Sequence, residues 1–81
     1  MSAAMTPQAL AEYVGTKIKL RRRMAGLTAD QLARASALRP EQIKAIEAGQ
    51  TSAAWTDLVA IARALGCDLS ALVEELGQDP T

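Results

Sequence analysis

The stretch Leu27-Thr28-Ala29-Asp30-Gln31-Leu32-Ala33, followed by Ile43-Lys44-Ala45-Ile46-Glu47-Ala48-Gly49, decides the fold. It reads as two short helices joined by a tight turn. Thr28 and Gln31, three residues apart, have the spacing of a capping box, which satisfies backbone N–H groups that a helix cannot pair itself. The second helix opens with Pro40, whose missing N–H costs nothing in a first turn. It stops at Gly49, a residue suited to the left-handed position that ends many helices. Two helices this short bury too little apolar surface to stand alone, so the rest of the chain must supply a scaffold.

Outward from this pair, apolar spacing predicts three more helices. Helix 1 runs from Pro7 to Met24 with Thr6 as its N-cap, and Leu10, Val14, Ile18 and Ala25 line one face. The central pair spans 29–35 and 40–48. A fourth helix starts after Thr51-Ser52, with Trp55, Leu58, Val59, Ala62 and Leu65 in register before Gly66 ends it. Asp68 caps a fifth, whose stripe is Leu69, Leu72, Val73 and Leu76. The expected domain is 6–77, with 1–5 a disordered N-terminus and 78–81 a frayed C-terminus. No repeat or low-complexity segment interrupts it.

Composition points to an all-α fold. In 81 residues Phe is absent and the aromatics are one Tyr and one Trp, so the core must be Leu, Ile, Val and Ala. Such side chains suit close helix packing and make a sheet-based fold unpromising. Eighty-one residues make one domain near the lower limit for a self-sufficient core. A single cysteine, Cys67, argues against a disulfide framework and fits a reducing interior, where it serves as a small apolar residue. With no His, no zinc or haem ligand set is expected, and no cofactor. Met1–Met5 lacks the charged start and apolar run of a signal peptide, and no apolar stretch approaches the ~20 residues of a membrane span. A cytoplasmic location is therefore expected.

The formal net charge of zero hides an asymmetry. Residues 1–50 carry eight Lys or Arg against four acids, and residues 51–81 carry one Arg against five acids. Five of the nine cations lie between Lys17 and Arg23. A basic front and an acidic back would orient the domain in the field of a nucleic acid. The plainer alternative is charge distributed over solvated helix faces.

Taken together, Val14-Gly15, Ile18-Lys19-Leu20-Arg21-Arg22, Gly26-Leu27-Thr28, Leu32-Ala33, Ile43, Ile46-Glu47, Gly49 and Ala62-Arg63-Ala64-Leu65-Gly66 resemble the lambda-repressor-like (Cro/XRE-type) helix-turn-helix family over residues 14–76. The resemblance implies a compact five-helix domain in which helices 2 and 3 form the helix-turn-helix. It also implies that Arg22 and Glu47 form a buried structural ion pair, and that helix 3 enters the major groove of DNA.

Mapped onto this sequence, the base-facing positions are Arg39, Glu41, Gln42 and Lys44, with Pro40 and Ala45 beside them. Arg39 can grip guanine, Gln42 can address adenine, and Glu41 can accept from a cytosine amino group. Thr28 at the helix 2 N-terminus, with Lys17, Lys19, Arg21 and Arg23, would anchor phosphates. Four such contacts give a salt slope on the order of −3 to −4 in log K against log salt. The family often has polar groups where Pro40 and Ala45 stand, a glutamine where Ala29 stands, and a glycine at Ala37.

A second apolar stripe, Tyr13, Leu20 and Met24, lies within ~40° on helix 1, nearly opposite Val14 and Ile18. It either covers the start of helix 5 or meets a partner. Trp55 is read as core or a lid over helix 3, or as a partner contact, and Gly15 as a close-packing position. Asp30, Asp57 and Asp68 read as helix-start charges and Glu74-Glu75 as a solvated end. Neither a nucleophile elbow nor a glycine-rich phosphate loop occurs, so no enzyme is expected.

The expectation is a homodimeric, bacterial-type repressor that binds double-stranded DNA on half-sites ~34 Å apart. The rival is a protein-interaction module on the same fold, an adaptor, anti-repressor or antitoxin-like partner. A further rival reads DNA shape through helix 1 and the N-terminal arm.

Overall fold

One branched aliphatic side chain from each helix meets at the centre: Ile18, Leu32, Ile43, Ile61 and Leu72 are all fully buried. They belong to α1 (Pro7–Met24), α2 (Ala29–Ser36), α3 (Pro40–Glu47), α4 (Trp55–Ala64) and α5 (Leu69–Val73). The computed structural model describes residues 6–73, and among them there is no strand. Leu76, Glu74-Glu75 and the two terminal segments, 1–5 and 78–81, lie outside the described residues. Val14, Ala33, Ile46 and Ala62 complete the core. Full burial of such a side chain contributes roughly 1.5–3 kcal/mol, and short helices like α2 and α3 depend on it more than on propensity.

The packing order positions the site. α2 lies against α3 and α4, α1 against α3 and α5, and α4 against α5. α3 therefore has α2 on one side and α1 across its end. Local chemistry sets each boundary. The Thr6 hydroxyl accepts from Ala9 N at 3.0 Å to start α1. The α2 box is reciprocal: Thr28 Oγ1 accepts from Gln31 N at 3.0 Å, and Gln31 Oε1 accepts from Thr28 N at 2.8 Å.

α2 runs one residue past its expected end, to Ser36, and α3 stops one short, at Glu47. Ser36 is buried, yet its hydroxyl donates to the Leu32 carbonyl at 2.7 Å, so the helix satisfies its own polar side chain. Two members of the expected α1 core stripe are corrected. Ala25 is the exposed C-cap beyond the packed part of the helix, and Leu10 remains 42% exposed beside the α3–α4 connection.

Candidate nucleic-acid interface

The C-terminal end of α3 is fixed to α1 by three contacts. Arg22 Nε donates to Glu47 Oε2 at 2.6 Å, and Arg22 Nη2 to Glu47 Oε1 at 3.0 Å. Arg22 Nη1 donates to the Leu27 carbonyl at 2.8 Å, which ties the fork to the entrance of α2. The two side chains are only 13% and 7% exposed. Hydrogen bonding to Glu47 raises the Arg22 guanidinium above its ordinary value, although desolvation opposes the shift. Because the folded value is raised, the contribution that Arg22 makes through this shift is complete below its unfolded value and is lost as pH rises through the folded one.

Gly15 supplies the second contact. A Cβ there would fall on the Ile46 carbonyl oxygen and 2.8 Å from that of Glu47. The helices approach so closely that only hydrogen fits. The third contact is at Gly49, whose φ is +72° and whose own Cβ would strike Glu12. The Gln8 amide donates to the Gly49 carbonyl at 3.2 Å and to Glu12 Oε2 at 3.0 Å.

The other end of α3 is open. α2 terminates at Ala37, which takes the left-handed conformation at φ 59° and ψ 35°. Leu38 N then donates to the Ala33 carbonyl at 2.8 Å, as at a glycine-ended helix, although alanine occupies the strained position. Arg39 follows as the N-cap of α3, with extended backbone and an exposed side chain. Its N–H donates to Gln42 Oε1 at 3.0 Å.

The expected base-facing residues do not share one face. Glu41, Ala45 and Ala48 form the outward ridge of α3 by helical rotation, and Gln42 and Lys44 lie on opposite flanks, ~160° apart. Lys44 is exposed on the α2 side. Gln42 is half-buried on the α4 side, where a cleft of about 260 Å³ is also lined by Glu41, Ala45, Thr51, Ser52 and Asp57. The Gln42 carbonyl oxygen, which would accept from N6 in a bidentate pair with adenine, here accepts from Arg39 N with one of its two lone pairs.

The phosphate anchors divide in the same way. Thr28 is exposed, but the capping box uses its oxygen as an acceptor and its N–H as a donor. Asp30 places an exposed carboxylate in the first turn of α2, which opposes an incoming phosphate. On α1, Lys19 and Arg23 fall on the flank of Gln8 and Glu12, the α3 side, whereas Lys17 and Arg21 fall on the other flank. The four cations thus cannot serve one phosphate track. Arg34, exposed in the last turn of α2 beside Ala37, was not singled out by sequence; its place three residues before the turn is the signal that marks it. Gln8 was also missed, because its partner is 41 residues away and a backbone atom.

The expected partner residues separate too. Tyr13 is half-buried against the core, whereas Leu20 and Met24 are 52% and 75% exposed. Trp55 is 68% exposed, which corrects its reading as core or lid. It stands at the rim of an apolar cleft of about 350 Å³ shared with Leu10, Val14, Ile46 and Leu58. Cys67 is half-buried against the core and takes no part in the interface. Among the described residues no cluster of His, Cys, Asp and Glu could hold a metal ion, and no helix is long and apolar enough to cross a membrane.

The arrangement is found in known proteins. A family model described as a helix-turn-helix domain matches residues 13–76. The crystal structure of the restriction-modification controller protein C.AhdI from Aeromonas hydrophila superposes with a TM-score of 0.77 at 25% identity, covering 79% of this chain and 97% of that one. The clp gene regulator ClgR from Corynebacterium glutamicum matches with TM-scores of 0.77 and 0.78 in two structures, both at 27% identity and 82% coverage of this chain. The match covers 86% and 70% of those ClgR chains. No curated protein sequence matches.

Proposed function

Because the chain belongs to the helix-turn-helix domain family, we propose that it regulates transcription by binding double-stranded DNA as a sequence-specific homodimeric repressor in the bacterial cytoplasm. Membership of the family and likeness to two regulators support the DNA-binding role itself. The observation that carries the finer reading is the open N-terminal end of α3. Arg39 is exposed there at a helix start, where a major-groove helix presents its reading residues. Lys44 on the α2 flank, and Lys19 and Arg23 on the α3 side of α1, would meet backbone phosphates, with Thr28 adding a hydroxyl.

Three cationic phosphate contacts per subunit make a weak monomer, with a salt slope on the order of −3. A dimer on a palindrome doubles the contacts and makes a useful regulator. The exposed Leu20, Met24 and Trp55 offer apolar surface for the second subunit. That same surface, with the ridge of Glu41, Ala45 and Ala48, is what favours the rival protein-interaction module.

Selection from random duplexes, followed by fluorescence anisotropy at about 50 and 200 mM salt, tests the reading. Salt-sensitive binding that enriches a palindrome supports a dimeric regulator. Absence of binding at low salt rejects it in favour of the protein-interaction module.

A further inference from the structure

Gln42 sits at the third position of α3 and uses its carbonyl oxygen internally: Oε1 accepts from Arg39 N at 3.0 Å. The same device opens α2, where Gln31 Oε1 accepts from Thr28 N. The two boxes differ in their second half. Thr28 returns a hydroxyl oxygen to Gln31 N, but a guanidinium carries no acceptor, so Arg39 returns nothing. The Gln42 amide is thereby held by one bond, with its oxygen turned toward the backbone. Its Nε2 has no hydrogen-bond partner among the described residues, and the residue lines the open cleft between α3 and the α3–α4 connection.

We propose that Gln42 determines sequence specificity through its amide donors, selecting guanine O6 or thymine O4 and disfavouring adenine, which carries its N6 amino group at that place. This deepens the DNA-binding reading and rests on it. A free glutamine prefers adenine because its oxygen accepts from N6 while its nitrogen donates to N7. With the oxygen turned toward Arg39 N, the amino end of the amide is the part left for a base edge. The adenine amino group then meets donors with a donor, whereas guanine and thymine meet them with acceptors. Retaining the cap during readout also keeps Arg39 in place. The two residues therefore form one donor-only unit, with Glu41 between them as the sole acceptor of the first turn.

The test is sequence selection with the full chain and two variants, with melting midpoints measured alongside. Gln42→Glu keeps the capping acceptor, since glutamate is the usual partner in such a box, and replaces the donors with an acceptor. Gln42→Met removes both. The wild type is expected to select guanine or thymine at one position of each half-site. In Gln42→Glu that position should turn toward cytosine by about tenfold, with the melting midpoint unchanged. Gln42→Met should flatten the preference there. The readout is the preference at that position, because the added negative charge lowers affinity for every sequence.

Wild-type selection of adenine at the position that changes would show that the cap opens on DNA, and would overturn the proposal. So would identical preferences in all three proteins, which would leave Gln42 a capping residue only. If the wild type binds no duplex at all, the DNA-binding reading falls and takes this proposal with it. That failure is visible before any variant is compared.

Discussion

The two ends of α3, a helix of only eight residues, are built on opposite plans. At the C-terminal end two polar groups are matched within the fold: the Glu47 carboxylate to Arg22, and the Gly49 carbonyl to Gln8. Gly15 there brings two backbones into contact. At the N-terminal end Arg39 is exposed, Gln42 keeps its amide donors unpaired, and the preceding turn holds an alanine in a left-handed conformation. A reading helix needs both plans. The enclosed end fixes its angle against the scaffold, and the open end leaves groups free for a ligand. Substitutions at the enclosed end should therefore cost stability, and those at the open end should cost binding.

Gly15→Ala should be the most damaging change. The added methyl meets carbonyl oxygens of the backbone, which cannot rotate away, so α1 and α3 must separate. A loss of more than about 3 kcal/mol is expected, seen as a largely unfolded far-ultraviolet circular dichroism spectrum at 37 °C. A folded protein of near-native stability would show that the close approach is dispensable.

Glu47→Ala strands the Arg22 guanidinium in an enclosed site and should cost about 3 kcal/mol, lowering the melting midpoint by roughly 10 °C or more. Removing both partners, as Arg22→Met with Glu47→Leu, should be milder than either single change. An unchanged midpoint in Glu47→Ala would deny the pair its role. Between pH 5 and 9 Arg22 should contribute no slope to stability, since its raised value lies far above that range.

Smaller effects probe the turn and the tether. Ala37→Gly relieves the left-handed alanine and should raise stability by about 0.5–1 kcal/mol. A loss of stability there would mean that the turn is not strained. Gln8→Ala should cost about 0.5 kcal/mol, the scale of one half-exposed hydrogen bond, in a denaturant titration. A loss several times larger would make Gln8 a main fixing point of α3.

The contrast between the ends also explains what could be read in advance. Helix starts and stops are local chemistry, so Thr6, the Thr28–Gln31 box, Pro40 and Gly49 were legible from neighbours three or four residues away. Gly15 was legible as a close-packing position, though not what it packs against. The Arg22–Glu47 pair came from the family resemblance, since 25 residues separate its members and no local rule connects them. Exposure was the weakest inference. Leu10, Ala25 and Trp55 fit apolar stripes by period, yet each lies at or just past a helix end, where the neighbouring helix no longer covers it. The same weakness placed Gln42 and Lys44 on one surface, whereas helical rotation puts them on opposite flanks.

Arg39→Ala, measured for DNA affinity and thermal stability on one sample, separates reading from folding at the open end of α3. At least about a tenfold loss of affinity for the selected site, ~1.4 kcal/mol, is expected, with the melting midpoint unchanged. Undiminished affinity with the fold intact would contradict it, and would remove the open end of α3 from the reading of DNA.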